Sequence, residues 1–176
     1  MKRIICIAVA VVLVLAAASC FAQEQKTWRA GVAFTRFADS DTRDVLGDDW
    51  AVGIERSLGD TFAMANLQGD VSIAAFYKPF EKDDVSLRDI FVGLRWRFGP
   101  GAKPDVDGIY AGALLGAAFL HADNGIETEN ATHVEWGALV GMNFAKSWYG
   151  ELGYNDPGDI LGFRTANFSA TLGYRF

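Results

Sequence analysis

The pattern that most constrains this chain is the alternation in residues 166–176, ANFSATLGYRF. Every second residue is apolar, and the residues between them are polar or glycine. The apolar positions are Ala166, Phe168, Ala170, Leu172, Tyr174 and Phe176. Because successive side chains of a β-strand point to opposite faces, a period of two predicts a strand with one apolar face.

Seven similar runs precede this one, and clusters of Gly, Asp, Asn and Pro separate them. They lie at residues 27–37, 49–56, 70–78, 87–98, 109–122, 133–144 and 147–155. Beyond residue 27, no segment has a convincing helical period of 3.6 residues. The chain is therefore predicted to be all-β.

The two faces of these strands differ in a way that favours a membrane barrel over a soluble sandwich. The polar faces are rich in glycine and hold few of the long side chains that a water-exposed surface carries. A transmembrane barrel has a lipid-facing apolar band, flanking aromatic girdles and a filled polar interior. The predicted girdle residues are Trp28, Trp96 and Trp148 at the inner interface and Trp50 and Trp136 at the outer one.

The number of runs and the length of the chain predict an eight-stranded antiparallel up-and-down transmembrane β-barrel. About 10 residues per tilted span account for the sequence. Eight strands enclose an interior that side chains fill, so we expect no large pore.

The connections between the strands alternate between two sides of the membrane. Outer links, which are polar and often acidic, are predicted at residues 39–49, 79–86, 122–132 and 155–164. Inner links are predicted from SLGD at residues 57–60 onward, at residues 99–108 and at residues 145–147. Residues 61–69 fit either a downward extension of the third strand or an irregular inner link.

Residues 1–22 are predicted to be a cleaved secretory signal, which leaves a barrel domain at residues 23–176. A basic start precedes an apolar run of 15 residues, from Ile4 to Ala18, and a stretch with small residues. A spanning helix needs about 20 residues, so the run is short for a membrane anchor. We expect export followed by cleavage after Ala22. The alternatives are a retained anchor and a lipoprotein signal in which Cys20 is acylated.

Cleavage at this position removes both cysteines, Cys6 and Cys20, and with them any disulfide or thiolate site. It also removes two of the 16 basic residues and none of the 22 acidic ones, so the formal net charge falls from −6 to −8. Nucleic-acid affinity depends on Lys and Arg that neutralise phosphates. We therefore expect no nucleic-acid partner.

Charged residues on the polar faces are expected to point into the barrel, where charges must be paired. Nine such residues are Arg29, Glu55, Lys78, Asp89, Arg95, Arg97, Glu135, Glu151 and Arg175. One network is predicted to fill the lower lumen. Its members are Arg29, Glu55, Arg95, Arg97, Glu151 and Arg175. Its expected role is to hold the barrel shut, and the alternative is a proton or ion path.

The only histidines, His121 and His133, flank the third outer link. With Asp123, Glu127 or Glu135 they form a chemically reasonable but loosely spaced set of metal ligands. A serine hydrolase needs a serine nucleophile beside its histidine base, and no serine flanks either histidine. We expect surface histidines, and no catalytic, cofactor or metal site.

The signal and three stretches, YAGALLGAAF, WYGELGY and FSATLGYRF, resemble the small outer-membrane β-barrel superfamily, which includes OmpA-type transmembrane domains and opacity-type adhesins. The resemblance implies that Leu172, Tyr174 and Phe176 are the signal that the barrel-assembly machinery reads. Lipid A deacylases share the architecture, but their His-x-Ser-Asn motif is absent from this sequence.

The expected function is therefore that of a non-enzymatic, integral outer-membrane barrel, which supports membrane integrity or makes surface contacts through its polar outer links. The expected partners are outer-membrane lipids, the barrel-assembly machinery during biogenesis, and host or envelope surface ligands. The alternative is a lipid A-modifying enzyme that uses His121 or His133.

Overall fold

The computed structural model describes residues 27–59, 63–64 and 67–176, which form eleven β-strands and one helix. The strands are β1 (Trp28–Phe37), β2 (Asp49–Ser57), β3 (Ala63–Met64), β4 (Leu67–Lys82), β5 (Val85–Phe98), β6 (Gly108–Asp123), β7 (Thr128–Phe144), β8 (Trp148–Asp156), β9 (Asp159–Ile160), β10 (Phe163–Arg164) and β11 (Asn167–Arg175). Helix α1 spans Ser40–Leu46. The predicted signal segment lies outside the described residues.

Eight of these strands pair antiparallel into a closed ring. In order around the ring they are β1, β2, β4, β5, β6, β7, β8 and β11. The ring closes between the first and last strands, where the register runs from Arg29 opposite Arg175 to Phe37 opposite Asn167. The predicted eight-stranded antiparallel up-and-down barrel is thereby confirmed.

The apolar face of each barrel strand points outward, and the polar face points into the lumen. On β11, Leu172 is 56% exposed, whereas Asn167 and Arg175 are buried. On β7, Val140 is exposed and Glu135 is buried. This arrangement is the reverse of a soluble fold, and it suits a surface whose solvent is lipid.

The first outer link contains helix α1, which corrects the prediction that no helix follows residue 27. Asp39 caps the helix by accepting a hydrogen bond from the Thr42 backbone N–H at 2.8 Å, and Gly47 ends it with a φ of 74°. A helix of seven residues has too few turns for its period to be read from sequence. No helix in the described residues is long and apolar enough to cross a membrane.

Strands β4 to β7 extend beyond their predicted outer ends. β4 continues to Lys82 and β5 begins at Val85, so the loop predicted at residues 79–86 is wrong. The third outer link shortens to residues 124–127. The polar residues in these segments predicted loops, but most of them lie in strands. Above the lipid, the outward face of a strand meets water and carries polar residues such as Glu81.

The third strand also extends at its inner end. β4 begins at Leu67 and pairs there with β3, with Ala63 opposite Gln68 and Met64 opposite Leu67. Residues 67–69 therefore extend the third strand at its inner end, as one of the two alternatives has it, and residues 63–64 form the short strand β3. Residues 61, 62, 65 and 66 lie outside the described residues.

Candidate functional site

Four charged side chains meet in the lower lumen and form what we call the central ion cluster: Glu55, Arg95, Arg97 and Glu151. They come from β2, β5 and β8, on different sides of the barrel. Arg97 Nη2 lies 2.6 Å from Glu55 Oε2 and 3.0 Å from Glu151 Oε1. Arg95 Nη2 lies 2.9 Å from Glu151 Oε2, and Arg95 also contacts Glu55. Each guanidinium bridges both carboxylates, so the four buried charges balance.

Polar groups that the sequence pattern did not single out complete this cluster. The Tyr110 hydroxyl donates to Glu151 Oε1 at 2.8 Å. Arg97 Nη1 donates to Ser72 Oγ at 3.3 Å, and Ser72 donates in turn to Asp70 at 2.9 Å. Asp70 lies directly opposite Arg97 in the β4–β5 register. The position of Asp70 beside Arg97 could therefore be predicted from the sequence only if the register of the β4–β5 hairpin was known.

In the described chain, Arg29 and Arg175 form no direct ion pair with the carboxylates of the central ion cluster, so four of the six residues in the predicted network pair directly. The two arginines are direct cross-strand neighbours on the closing β1–β11 seam. Like charges in that position destabilise a sheet unless other groups compensate. Both side chains lie at the inner mouth of the barrel. Arg29 Nη1 donates to the Tyr110 hydroxyl and to Asn143 Oδ1, each at 3.2 Å, so Arg29 reaches the central ion cluster only through Tyr110. The other acceptors of the two arginines come from a link.

These acceptors belong to the connection between β5 and β6, residues 99–107, which we call the inner lid. Arg29 Nη2 donates to the Ala102 carbonyl oxygen at 3.1 Å. Arg175 donates to the Pro104 carbonyl oxygen at 2.6 Å and pairs with Asp107 Oδ1 at 2.6 Å. The lid thus supplies separate acceptors to the two seam arginines, which offsets their mutual repulsion.

Asn143 and a pair of glycines hold the inner lid within the mouth. Asn143 Nδ2 lies 2.7, 3.0 and 3.1 Å from the carbonyl oxygens of Gly101, Lys103 and Val106. A Cβ at Gly101 would lie 1.9 Å from the Gly108 carbonyl oxygen, so only glycine fits. The Gly and Pro content of this segment predicted a turn, but no local signal indicated that the turn folds inward.

A second ion cluster, the upper triad, lies nearer the outer end. Lys78 Nζ lies 2.7 Å from Asp89 Oδ2 and 2.6 Å from Glu135 Oε1, and all three residues are buried. Asp89 Oδ1 and Glu135 Oε2 have no hydrogen-bond partner in the described residues. A cavity of about 40 Å³ separates the triad from the central ion cluster. Ligand pockets are roughly 300–1,000 Å³, so this cavity is too small for an organic ligand.

The outer mouth is closed by an apolar cluster, which together with α1 and the β9–β10 hairpin forms the outer cap. Its main side chains are Phe37, Leu46, Phe80, Leu87, Leu120 and Ile160. Hydrogen bonds join the links: Arg164 N donates to Thr42 Oγ1 at 3.1 Å, and Leu161 N donates to Glu129 Oε2 at 3.0 Å. The first and fourth outer links therefore pack together, and the outer end of β7 joins them.

The two histidines lie in different surroundings. His121 Nδ1 is 2.7 Å from Asn130 Oδ1, and the His133 ring packs against Gly158. Neither histidine has a hydrogen bond to a serine hydroxyl within the described residues. The same part of the chain holds no group of three His, Cys, Asp or Glu residues that could bind a metal ion.

Aromatic rings group on the outer surface of the barrel. Trp136, Tyr154 and Phe168 form a chain with centroid separations of 5.7 and 5.4 Å, and Trp148 lies 5.4 Å from Tyr174. Of the other predicted girdle residues, Trp50 packs on Phe34, Trp28 lies under Arg56, and Trp96 is half-buried. The depths of these rings in a bilayer stay a prediction.

The predicted assembly residues lie on the closing seam. Phe176 N and O exchange hydrogen bonds with the Trp28 backbone at 3.0 and 2.9 Å, which extends the β1–β11 pairing by one residue. Leu172 and Tyr174 lie opposite Val32 and Ala30 on the same seam. A role in assembly stays a prediction.

Comparison with known proteins agrees with the fold. The sequence matches the family described as "Outer membrane protein beta-barrel domain" over residues 7–176. No curated protein sequence matches this chain. The structure is similar to the N-terminal β-barrel domain of Pseudomonas aeruginosa OprF, with a TM-score of 0.59 and 17% identity over 88% of this chain and 100% of that one.

Two further solved structures are similar. Neisserial surface protein A has a TM-score of 0.54 and 16% identity, over 84% of this chain and 94% of that one. Ail, the attachment invasion locus protein of Yersinia pestis, has a TM-score of 0.52 and 16% identity, over 85% and 97%. At these identities the likeness concerns the fold alone. Because the family match covers nearly the entire sequence, the chain belongs to the outer-membrane β-barrel protein family.

Proposed function

We propose that this protein is a non-enzymatic outer-membrane barrel that acts as a closed support for its outer cap, in membrane integrity or in surface contact. The observation that carries the proposal is that packed groups obstruct the lumen at four levels. These groups are the outer cap, the upper triad, the central ion cluster and the inner lid, whose side chains are buried and packed or hydrogen-bonded across the lumen. A barrel filled in this way suits anchoring better than transport.

A complementation experiment separates the two roles. A deletion strain would receive either the wild-type gene or a cap-shortened variant, in which short turns replace residues 40–47 and 157–163. If the role is membrane integrity, the cap-shortened variant should restore resistance to bile salts. If the role is surface contact, the deletion strain should lose adhesion and keep its bile-salt resistance, and only the wild-type gene should restore adhesion. A deletion strain with neither defect would count against both roles.

The charge of the outer cap favours a cationic surface ligand. The first outer link holds Asp39, Asp41, Asp44 and Asp48 against a single basic residue, Arg43. Ail has been crystallised with the heparin analogue sucrose octasulfate, which is an anion. Opposite charges attract across an interface, so this chain should prefer polylysine to heparin in a surface-binding assay at low salt. Binding of heparin alone would refute this preference.

A lipid A-modifying activity is the alternative function. It is favoured by one observation, since His121 faces outward near the upper end of β6, beside side chains that are expected to contact outer-leaflet lipid. The test is mass spectrometry of lipid A from a deletion strain. An unchanged acyl pattern supports the non-enzymatic proposal, and a changed pattern that H121A or H133A fails to complement would establish the enzyme.

We further propose that export ends with cleavage after Ala22, which makes Gln23 the first residue of the mature chain. The support is the order of basic, apolar and small residues in the sequence. Intact-mass measurement of protein from the outer-membrane fraction tests this directly. A mass that corresponds to acylated Cys20 would instead identify a lipoprotein.

The barrel-assembly machinery is proposed to read the alternate residues Leu172, Tyr174 and Phe176. Phe176 lies at one end of the closing seam, and Phe168, an outward aromatic residue near the other end of β11, provides a matched control. F176A should reduce the amount of heat-modifiable barrel in the outer membrane, whereas F168A should not. Equal amounts for both variants would contradict the role.

A further inference from the structure

The outward surface of β4–β7 changes character in successive rows of cross-strand neighbours near its outer end. Ile90 and Phe119 lie opposite each other in an exposed apolar row. One row further out, Arg88 lies opposite His121. The next row out is acidic at Asp123 on β6 and at Glu81 on β4.

Arg88 is the exposed cation of the middle row. Within residues 27–59, 63–64 and 67–176, its guanidinium has no hydrogen bond or ion pair. Arg36, which also faces outward near the outer end of its strand, differs because it lies 3.9 Å from Asp48. A cation beside lipid is costly unless an anion pairs with it. Arg88 therefore needs a partner from outside the chain.

The neighbouring side chains add hydrogen-bond donors. Asn130 Oδ1 can only accept, so His121 Nδ1 must donate the 2.7 Å hydrogen bond between them. That bond orients the Asn130 amide, whose Nδ2 hydrogens remain available as donors. Arg88, His121 and Asn130 occupy consecutive strands of one row, so their polar atoms converge on the same outward surface.

We propose that Arg88 and Asn130, whose amide His121 orients, bind a phosphate group of an outer-leaflet lipid. The planar guanidinium fork of arginine matches two phosphate oxygens, and an amide N–H adds a third contact. In a bilayer the phosphate layer lies immediately beyond the acyl chains, and this row lies immediately beyond the apolar row at Ile90 and Phe119. The inference rests on the proposed outer-membrane location.

The direct test measures lipid binding to the purified, detergent-solubilised full barrel by native mass spectrometry. The probes are bis-phosphorylated lipid A and the same lipid A after enzymatic dephosphorylation. The wild-type protein should bind the phosphorylated form about tenfold more tightly, as the loss of a charged hydrogen bond implies. Equal binding of the two forms would overturn the proposal.

Matched variants assign the effect to this row. R88Q should remove the preference for phosphorylated lipid A, R88K should keep part of it, and N130A should weaken it. R36Q, which alters a paired arginine, should bind like the wild type. If R88Q folds and keeps the full preference, the site is refuted. If R88Q fails to migrate as a heat-modifiable barrel, N130A and R88K decide in its place.

A soluble competitor identifies the source of the phosphate. Inorganic phosphate at the concentration of the lipid should not displace it, because only a lipid also contacts the apolar row. Displacement by inorganic phosphate would refute a lipid ligand. Because the protein is purified, a negative result leaves the proposed location intact, whereas membrane fractionation tests that location separately.

Discussion

Glu151 illustrates how single side chains fill this lumen. Its carboxylate accepts hydrogen bonds from Arg95, Arg97 and Tyr110, at distances between 2.8 and 3.1 Å. The residue is almost fully buried, so its charge is stabilised by these donors rather than by water. Removing the charge would leave two guanidiniums sharing Glu55.

We therefore expect E151Q to reduce the free energy of unfolding by about 3–5 kcal/mol, as the loss of one partner from a buried ion pair does. Urea unfolding in lipid vesicles, followed by tryptophan fluorescence, would measure the change. E127Q is the control, because Glu127 is exposed in the third outer link and should change stability by less than about 0.5 kcal/mol. A loss below about 1 kcal/mol for E151Q would contradict the importance of the cluster.

Among the elements, helix α1 depends on its N-terminal cap. Two hydrogen bonds from Thr42 lower the pKa of the Asp39 carboxyl group. The bond from the backbone N–H has the larger effect, and the bond from the side chain has the smaller one. A carboxyl whose pKa is lowered by folding contributes stability above its unfolded pKa of about 3.9, and this contribution is lost as the pH falls through the lower folded value.

Hydrogen exchange at the Thr42 amide should report this cap. After correction for the intrinsic exchange rate, wild-type protection should fall as the pH drops below about 4. D39A should show low protection at every pH, because it lacks the acceptor. S40A should behave as the wild type, since the Ser40 hydroxyl donates its hydrogen bond to the neighbouring Asp41 and not to the cap. Unchanged protection in D39A would show that tertiary packing alone holds α1.

The inner lid is the other element whose position depends on a few contacts. Asn143 supplies its main anchor, and Ala102 is fully buried beneath it. The described residues contain no cysteine, so a thiol introduced at Ala102 would report opening of the lid without interference from them.

The A102C thiol should react slowly with a maleimide in the otherwise unchanged barrel. Adding N143A should accelerate labelling by about tenfold or more, since hydrogen bonds of about 1 kcal/mol each are lost. N124A is suitable as a control because Asn124 bonds only within the third outer link. Rapid labelling of A102C alone would mean that the lid is open in solution.

At the scale of the whole molecule, the successive blocks in the lumen predict a barrel that does not conduct. We expect no ion-current steps from the wild-type protein in planar bilayers. A variant with the inner lid shortened should also stay closed, because the ion clusters and the apolar cluster remain in place. Reproducible current steps from folded wild-type protein would contradict this prediction.

Much of the fold was predictable because a barrel strand has a simple pattern. The alternation on β11 indicated which side chains face lipid, and the same period elsewhere predicted the strand number. Helix α1 and the long upper ends of β4 and β5 were missed, because seven residues carry no readable period and strands above the lipid lose the apolar signal. The inward direction of the ion-cluster residues could be predicted because alternate residues of a strand point to opposite faces.

By itself, the sequence determined that this protein is a closed, lipid-facing barrel, since a period of two separates an outer face from an inner one whatever the register. Only the tertiary structure decided which charges meet. Arg97 and Glu151 are 54 residues apart, and they pair because strand register brings them to the same height. The same geometry sends Arg29 and Arg175 to the inner lid, because the shared seam places both at the mouth, where buried backbone carbonyls and Asp107 accept their hydrogen bonds.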